Sequence, residues 1–115
     1  MAWKDDVQEN IKCGLVEILI LGLLTTEDMY GYQLQSKIAK RGDPVLLPKN
    51  GSLYGVLHRM EAKGLITTKK VLAGEKRYRN YFHIEPNGME YLEYGIQEFR
   101  SIFELSNDLL KSCDL

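Results

Sequence analysis

One stretch of β pattern inside an otherwise helical chain constrains this sequence most. Residues 65–72 and 77–84 are rich in β-branched and aromatic side chains, and Ala73-Gly74-Glu75-Lys76 reads as the turn between them. Glu85-Pro86-Asn87-Gly88 ends the second strand. Everything before and after has helical spacing. Val7, Ile11, Leu15, Ile18 and Leu19 predict a first helix over 5–24. Thr25-Thr26-Glu27-Asp28 offers turn and capping chemistry. Tyr30, Leu34 and Ile38 then lie on one stripe of a second helix ending near Lys40, before the breaker Arg41-Gly42-Asp43-Pro44. After the connector Val45-Leu46-Leu47, a third helix starts at Pro48 or at Asn50, both being suitable first-turn residues. It runs to about Lys63, and Gly64 is its natural stop.

Helix, helix, helix, hairpin is the order of a winged helix-turn-helix. The predicted fold class is therefore α+β and mostly α, with one long helix appended. At 115 residues the chain has room for one domain and an extension. We expect a winged-helix domain with its N-terminal helix over 1–84 and a terminal helix over 85–115.

Charge is segregated along the chain. Residues 49–83 carry a net +6, whereas residues 1–48 sum to −2 and residues 84–115 to −5. A basic segment between acidic ones can hold a polyanion on one face. On the third helix, Leu53, Val56, Leu57 and Met60 share an apolar stripe, and Gly51, Ser52, Tyr54, Gly55, His58 and Arg59 share the other side. Glycines on an exposed helix face cost about 1 kcal/mol each relative to alanine, which suggests close approach of the backbone to another surface. Asn50 and Ser52 fall near the helix N-terminus, where backbone N–H groups favour phosphate. Tyr54 and His58 are placed to meet a phosphate or a base edge. Lys49, Lys69, Lys70, Lys76, Arg77 and Arg79 supply salt-dependent attraction to a duplex, with Arg77 and Arg79 near a tip suited to a minor groove. The competing reading of a basic hairpin is a solvated edge guarded against aggregation.

The terminal segment repeats Leu92, Ile96, Phe99, Phe103 and Leu110 at heptad-like steps. About 25 helical residues reach roughly 38 Å, too long for so small a domain to cover. The stripe calls for a partner, most simply the same helix of a second copy; the alternative is that it folds back on its own domain. Trp3, Phe99 and Phe103 are either packed interface residues, the preferred reading, or a site for a flat hydrophobic effector.

Other classes find little to stand on. The N-terminus has no secretory pattern, and the longest apolar run, Leu15 to Leu24, contains Glu17 and is half the length of a membrane span. Cys13 and Cys113 are isolated, so no metal site or redox pair is expected, and they read as reduced thiols in the cytoplasm. No nucleophile–base arrangement or glycine-rich phosphate loop is legible, and His58 and His83 have no evident partner. We expect no enzyme, cofactor or metal. A winged-helix adaptor that binds an acidic protein, without effector response, is the rival from another class.

The motifs also resemble a known family. Leu19-Ile20-Leu21-Gly22-Leu23-Leu24 with Tyr30-Gly31-Tyr32-Gln33-Leu34, the run from Gly51-Ser52-Leu53-Tyr54 to Gly64-Leu65-Ile66, and Arg79-Asn80-Tyr81-Phe82-His83-Ile84 with Gly88 are similar to PadR-type transcriptional regulators over roughly residues 12–95. The resemblance implies a homodimeric repressor of a nearby enzyme or efflux operon, with a winged helix and a C-terminal dimerisation helix. The short length is similar to the subfamily that includes multidrug-responsive members. By offset from Gly88, Phe99 holds the place where those members carry a tryptophan in a pore between subunits. Two further departures are Glu85, where Thr is usual, and Asn80, where a basic residue is common. The expected partners are thus a pseudo-palindromic DNA duplex, a second copy of the chain and a small aromatic or hydrophobic effector, with no membrane.

Overall fold

A computed structural model describes residues 2–12, 14–39, 46–48 and 53–113. The elements in chain order are α1 (Ala2–Lys12), α2 (Leu15–Leu24), β1 (Met29–Tyr30), α3 (Gly31–Ile38), α4 (Leu53–Ala62), β2 (Ile66–Leu72), β3 (Tyr78–Ile84) and α5 (Pro86–Leu110). The antiparallel sheet has the order β1-β3-β2.

The single first helix expected over 5–24 is two helices. Gly14 adopts φ +85° between them, a left-handed conformation that glycine enters without the Cβ clash. The chain turns there, so one apolar stripe serves two surfaces. Val16, Ile20, Leu21 and Leu24 of α2 are buried, whereas Val7 and Ile11 of α1 face solvent, Ile11 at 77% exposure. Lys12 is nevertheless buried. Its ammonium lies 2.9 Å from Glu9 Oε1 and donates to the Leu47 carbonyl, tying α1 to the segment before α4.

Residues 25–28 close α2 rather than opening the next helix. Thr25 and Thr26 hydroxyls donate back to the Gly22 and Leu23 carbonyls at 2.6 and 2.9 Å. Met29 and Tyr30 then form a strand absent from the sequence expectation, with Met29 opposite Phe82 and Tyr30 opposite Tyr81. Two residues are too few to display a period of two. Helix α3 starts one residue later, where Gln33 Oε1 accepts from the Tyr30 N–H at 3.1 Å.

Pro48 is not helical, and the alternative start at Asn50 lies outside the described residues. Leu53, Val56, Leu57 and Met60 are all buried against α2, α3 and the sheet. Gly64 ends the helix at φ +76°, with its N–H on the Glu61 carbonyl at 3.0 Å. The hairpin is regular, from Ile66 opposite Ile84 to Leu72 opposite Tyr78.

Helix α5 opens with Pro86 in its first turn. Glu85 does not cap it with its side chain; the carboxylate accepts from Thr67 Oγ1 at 2.7 Å instead. Gly88 marks a close approach, because an added Cβ would collide with the Leu65 carbonyl oxygen and sit 2.8 Å from Ile84 Cγ1. The expected seam is divided. Leu92, at 6% exposure, belongs to the chain's own core and Ile96 packs against it, because the first turns of α5 lie across α2. Beyond them Phe99, Ile102, Phe103, Leu105, Leu109 and Leu110 are all exposed, and Phe99 and Phe103 stack with ring centres 6.1 Å apart.

On α2, Glu17 accepts from Tyr91 Oη at 2.8 Å and from Lys63 Nζ at 3.3 Å. The hydrogen bond to this carboxylate, then burial, then its negative charge raise the Tyr91 phenol above its ordinary value. Among the described residues no helix is long and apolar enough to cross a membrane, and no three His, Cys, Asp or Glu side chains converge as metal ligands. Cys113 is an exposed free thiol, and Cys13 lies outside the described residues.

Gly88→Ala is expected to cost about 1–3 kcal/mol, the usual range for overpacking. Thermal unfolding at matched protein concentration measures it; an unchanged midpoint would mean that α5 can shift away from Leu65.

Candidate nucleic-acid interface

Burying one side of α4 leaves Tyr54, Gly55, His58 and Arg59 exposed on the other. Tyr54 is more than a surface residue. A Cβ built on Gly31 would lie 2.6 Å from Tyr54 Cζ, so the ring crosses the first residue of α3 with no space for a larger side chain there. Tyr54 thereby joins the two helices of the helix-turn-helix while keeping 56% of its surface open. A Cβ built on Gly55 would meet Arg59 Nη1 at 3.7 Å, an ordinary van der Waals contact. The backbone of α4 is accessible there to another surface.

Strand alternation sorts the basic residues of the hairpin onto two faces. Lys70 stands opposite Asn80, two residues from the Thr68–Phe82 pair. These side chains meet Tyr54, Leu57, His58 and Glu61 around a groove of about 420 Å³ between α4 and the sheet. Within it, Thr68 Oγ1 donates to Glu61 Oε2. Lys69 stands opposite Tyr81 and Arg79 opposite Val71, on the far face. There the Arg79 guanidinium lies 4.4 Å from the centre of the Tyr30 ring, which in turn meets Tyr81 edge-on at 5.4 Å. His83 Nδ1 lies 2.7 Å from Asp28 Oδ1, fixing the far end of β3 to the turn before β1.

The tip is closed by the Ala73 N–H on the Arg77 carbonyl at 2.8 Å, with Gly74 at φ +138°. Lys76 and Arg77 are exposed beside it. The structure thus brings Tyr54, His58 and Lys70 to one groove, sets Lys76 and Arg77 on the projecting tip, and holds Lys69 and Arg79 on the other side of the ribbon. Lys49, Asn50 and Ser52 lie outside the described residues. Arg59 and Asn80 are noted from sequence, on the polar side of the third helix and as a departure in the wing, but not as candidate DNA contacts. Asn80 shares the strand-pair face of Lys70, and Arg59 shares the polar side of α4, so each was reachable from periodicity alone.

Three helices whose third shows a polar face, closed by a two-stranded ribbon, define a winged helix-turn-helix protein. Residues 20–94 match the Transcriptional regulator PadR-like family. Solved structures agree. A PadR family transcription regulator from hypervirulent Clostridium difficile is 32% identical with a TM-score of 0.71, covering 84% of this chain and 99% of that one. A PadR-like transcriptional regulator from Bacillus cereus is 31% identical with a TM-score of 0.73, covering 90% and 98%. A transcriptional regulator from Clostridium thermocellum is 28% identical with a TM-score of 0.75, covering 86% and 96%. The chain belongs to the PadR-like family of transcriptional regulators, which are not enzymes.

Arg79→Ala, which removes the stack on Tyr30, should lose about 0.5–1 kcal/mol of stability, a shift of a few degrees in melting temperature. Arg77→Ala should leave it unchanged. Equal melting temperatures for both variants would show that the stack contributes nothing to the fold.

Proposed function

We propose that this regulator binds double-stranded DNA as a homodimer in the cytoplasm and represses a nearby operon. The supporting observation is the continuity of one face: Tyr54 and His58 of α4 line one groove with Lys70 and Asn80 of the sheet, with Lys76 and Arg77 exposed at the ribbon's tip. Helix α4 enters the major groove, where Tyr54 and His58 meet base edges or adjacent phosphates. Lys49, Asn50 and Ser52 join them from the N-terminal side, and the tip follows the backbone into the neighbouring minor groove. Lys69 and Arg79, on the other ribbon face, add positive potential to the same end of the molecule.

Dimerisation is supported by the unpartnered apolar surface of α5 beyond Ile96. We assign the contact to Phe99, Phe103 and Leu110 together with Ile102 and Leu109, and place Leu92 and Ile96 within the subunit. Residues 1–84 serve as the DNA-binding part and 85–115 as the pairing helix. Two reading helices then meet successive major grooves, about 34 Å apart or a multiple of that. Phe103→Glu buries a charge in the pairing surface, so it should yield a monomer by light scattering and weaken DNA binding more than tenfold; a stable dimer would remove α5 from the interface.

An effector reading has its own support. A groove of about 380 Å³ between α1, α2 and α5 is lined by Ile11, Leu15, Ile18, Tyr94, Phe99 and Ile102. Its apolar lining suits a flat hydrophobic molecule. Of the three candidates, Phe99 lines it, whereas Trp3 and Phe103 do not. Such a molecule regulates only by favouring one arrangement of the reading helices over another.

Footprinting on the DNA upstream of the chain's own coding region tests DNA binding. Paired protected half-sites are the expected result, and Lys70→Ala and Arg77→Ala should each reduce the slope of log affinity against log salt by about one. An unprotected duplex, with binding to an acidic protein instead, would establish the adaptor reading.

A further inference from the structure

One carboxylate links the exit of the reading helix to the pairing helix. Glu17, on α2, keeps a side chain only 12% exposed. Lys63 Nζ lies 3.3 and 3.4 Å from its two oxygens, and Tyr91 Oη donates to Oε2 at 2.8 Å. Lys63 Nζ also stands 5.9 Å from the centre of the Tyr91 ring. Three elements therefore converge. Glu17 comes from α2 and Tyr91 from α5. Lys63 follows directly on α4, its N–H still bonded to the Arg59 carbonyl at 3.1 Å.

Glu17 is largely covered while Lys63 stays half exposed, so the joint acts through directional contacts more than through charge burial. Charge-assisted hydrogen bonds are also about twice as strong as neutral ones and are directional. Helix α4 cannot pivot about α2 without moving Lys63, and α5 cannot roll on α2 without moving Tyr91. The core beneath sets the crossing angles by ridge-into-groove packing, and the three-way polar joint adds a directional restraint at the point where α2, α4 and α5 meet. Tyr91 also stands next to Tyr94 and Phe99 around the groove between α1 and α5.

We propose that the Glu17–Lys63–Tyr91 joint fixes the angle between α4 and α5, and so sets the half-site spacing that the dimer accepts. This inference rests on the DNA-binding dimer reading. Pairing through α5 makes the separation of the two reading helices depend on the α4–α5 angle in each copy. Lys63 and Tyr91 act here as positioning residues, away from the reading face.

The test uses the full chain. The wild-type protein first selects its best duplex from a randomised pool. That duplex is then remade with its central spacer lengthened or shortened by one and two base pairs. The wild type should show a sharp optimum. Tyr91→Phe, which removes a single oxygen atom and keeps the ring, and Lys63→Met should flatten the profile. The ratio between the best spacer and its one-base-pair neighbours should fall at least about threefold, within the range of coupling changes made by residues between sites. Lys63→Arg, which keeps the charge, should retain the sharp optimum. The double variant should flatten the profile no more than either single change, because both break one joint. An unchanged profile overturns the proposal. So does parallel weakening of every spacer with a lowered melting temperature, the mark of a purely structural role. A wild-type protein that selects no duplex would refute the DNA reading itself.

Discussion

Leu53, Val56, Leu57 and Met60 are sealed against α2, α3 and the sheet, and that burial dictates what α4 shows to solvent. A helix with 3.6 residues per turn cannot hide this stripe without presenting Tyr54, Gly55, His58 and Arg59 on the opposite side. Truncating Leu53, Leu57 or Met60 to alanine would cost about 2–5 kcal/mol, a large part of a small domain's total stability. The orientation of the reading face is therefore as secure as the core itself. Tyr54 strengthens the arrangement by lying across Gly31, so one aromatic ring both locks α3 to α4 and remains half open to a ligand.

The strongly periodic parts of this chain were legible from sequence. The α4 stripe, the Gly64 stop, the two strands of the hairpin and the long α5 follow from local pattern, because in each the local preference and the tertiary environment agree. The features that escaped are those where a few residues answer to distant partners. Gly14 splits one apolar stripe between two helices, and nothing in the spacing marks the change of direction. Thr25 and Thr26 carry capping chemistry, but their hydroxyls turn back to α2 because Met29 and Tyr30 are recruited by β3. The candidate interface was similarly half-visible. Its charge was evident, whereas the partition of Lys70 from Lys69 and Arg79 needed the ribbon to be packed against α4 on one particular side.

Helix α5 has two allegiances along its length. Its first turns are tied to the domain by Gly88 at the Leu65 carbonyl, Leu92 in the core and Tyr91 on Glu17. Its later turns carry Phe99, Ile102, Phe103, Leu109 and Leu110, all largely exposed. A heptad pattern does not distinguish these roles, since both use the same side chains at the same steps. The division arises because α2 spans ten residues and the domain under α5 is correspondingly short. A rigid rod anchored at one end and apolar at the other transmits the geometry of its far contact to its root. In the proposed dimer, that arrangement gives a polar joint at the root its leverage over α4.

Charge completes the same division of labour. Of the +6 of residues 49–83, the ribbon carries +4 through Lys69, Lys70, Lys76, Arg77 and Arg79 against Glu75, and α4 is neutral with Arg59 and Glu61; the −5 of residues 84–115 lies on α5 and the residues flanking it. At physiological salt the screening length is about 8 Å, whereas α5 extends roughly 38 Å. The two patches consequently act as separate fields rather than cancelling to the overall −1. The positive field is centred on the ribbon, and the acid of α5 is concentrated in its first half at Glu90, Glu93 and Glu98. The acidic first half of α5 thus separates the basic ribbon from the apolar stretch of α5 beyond Ile96.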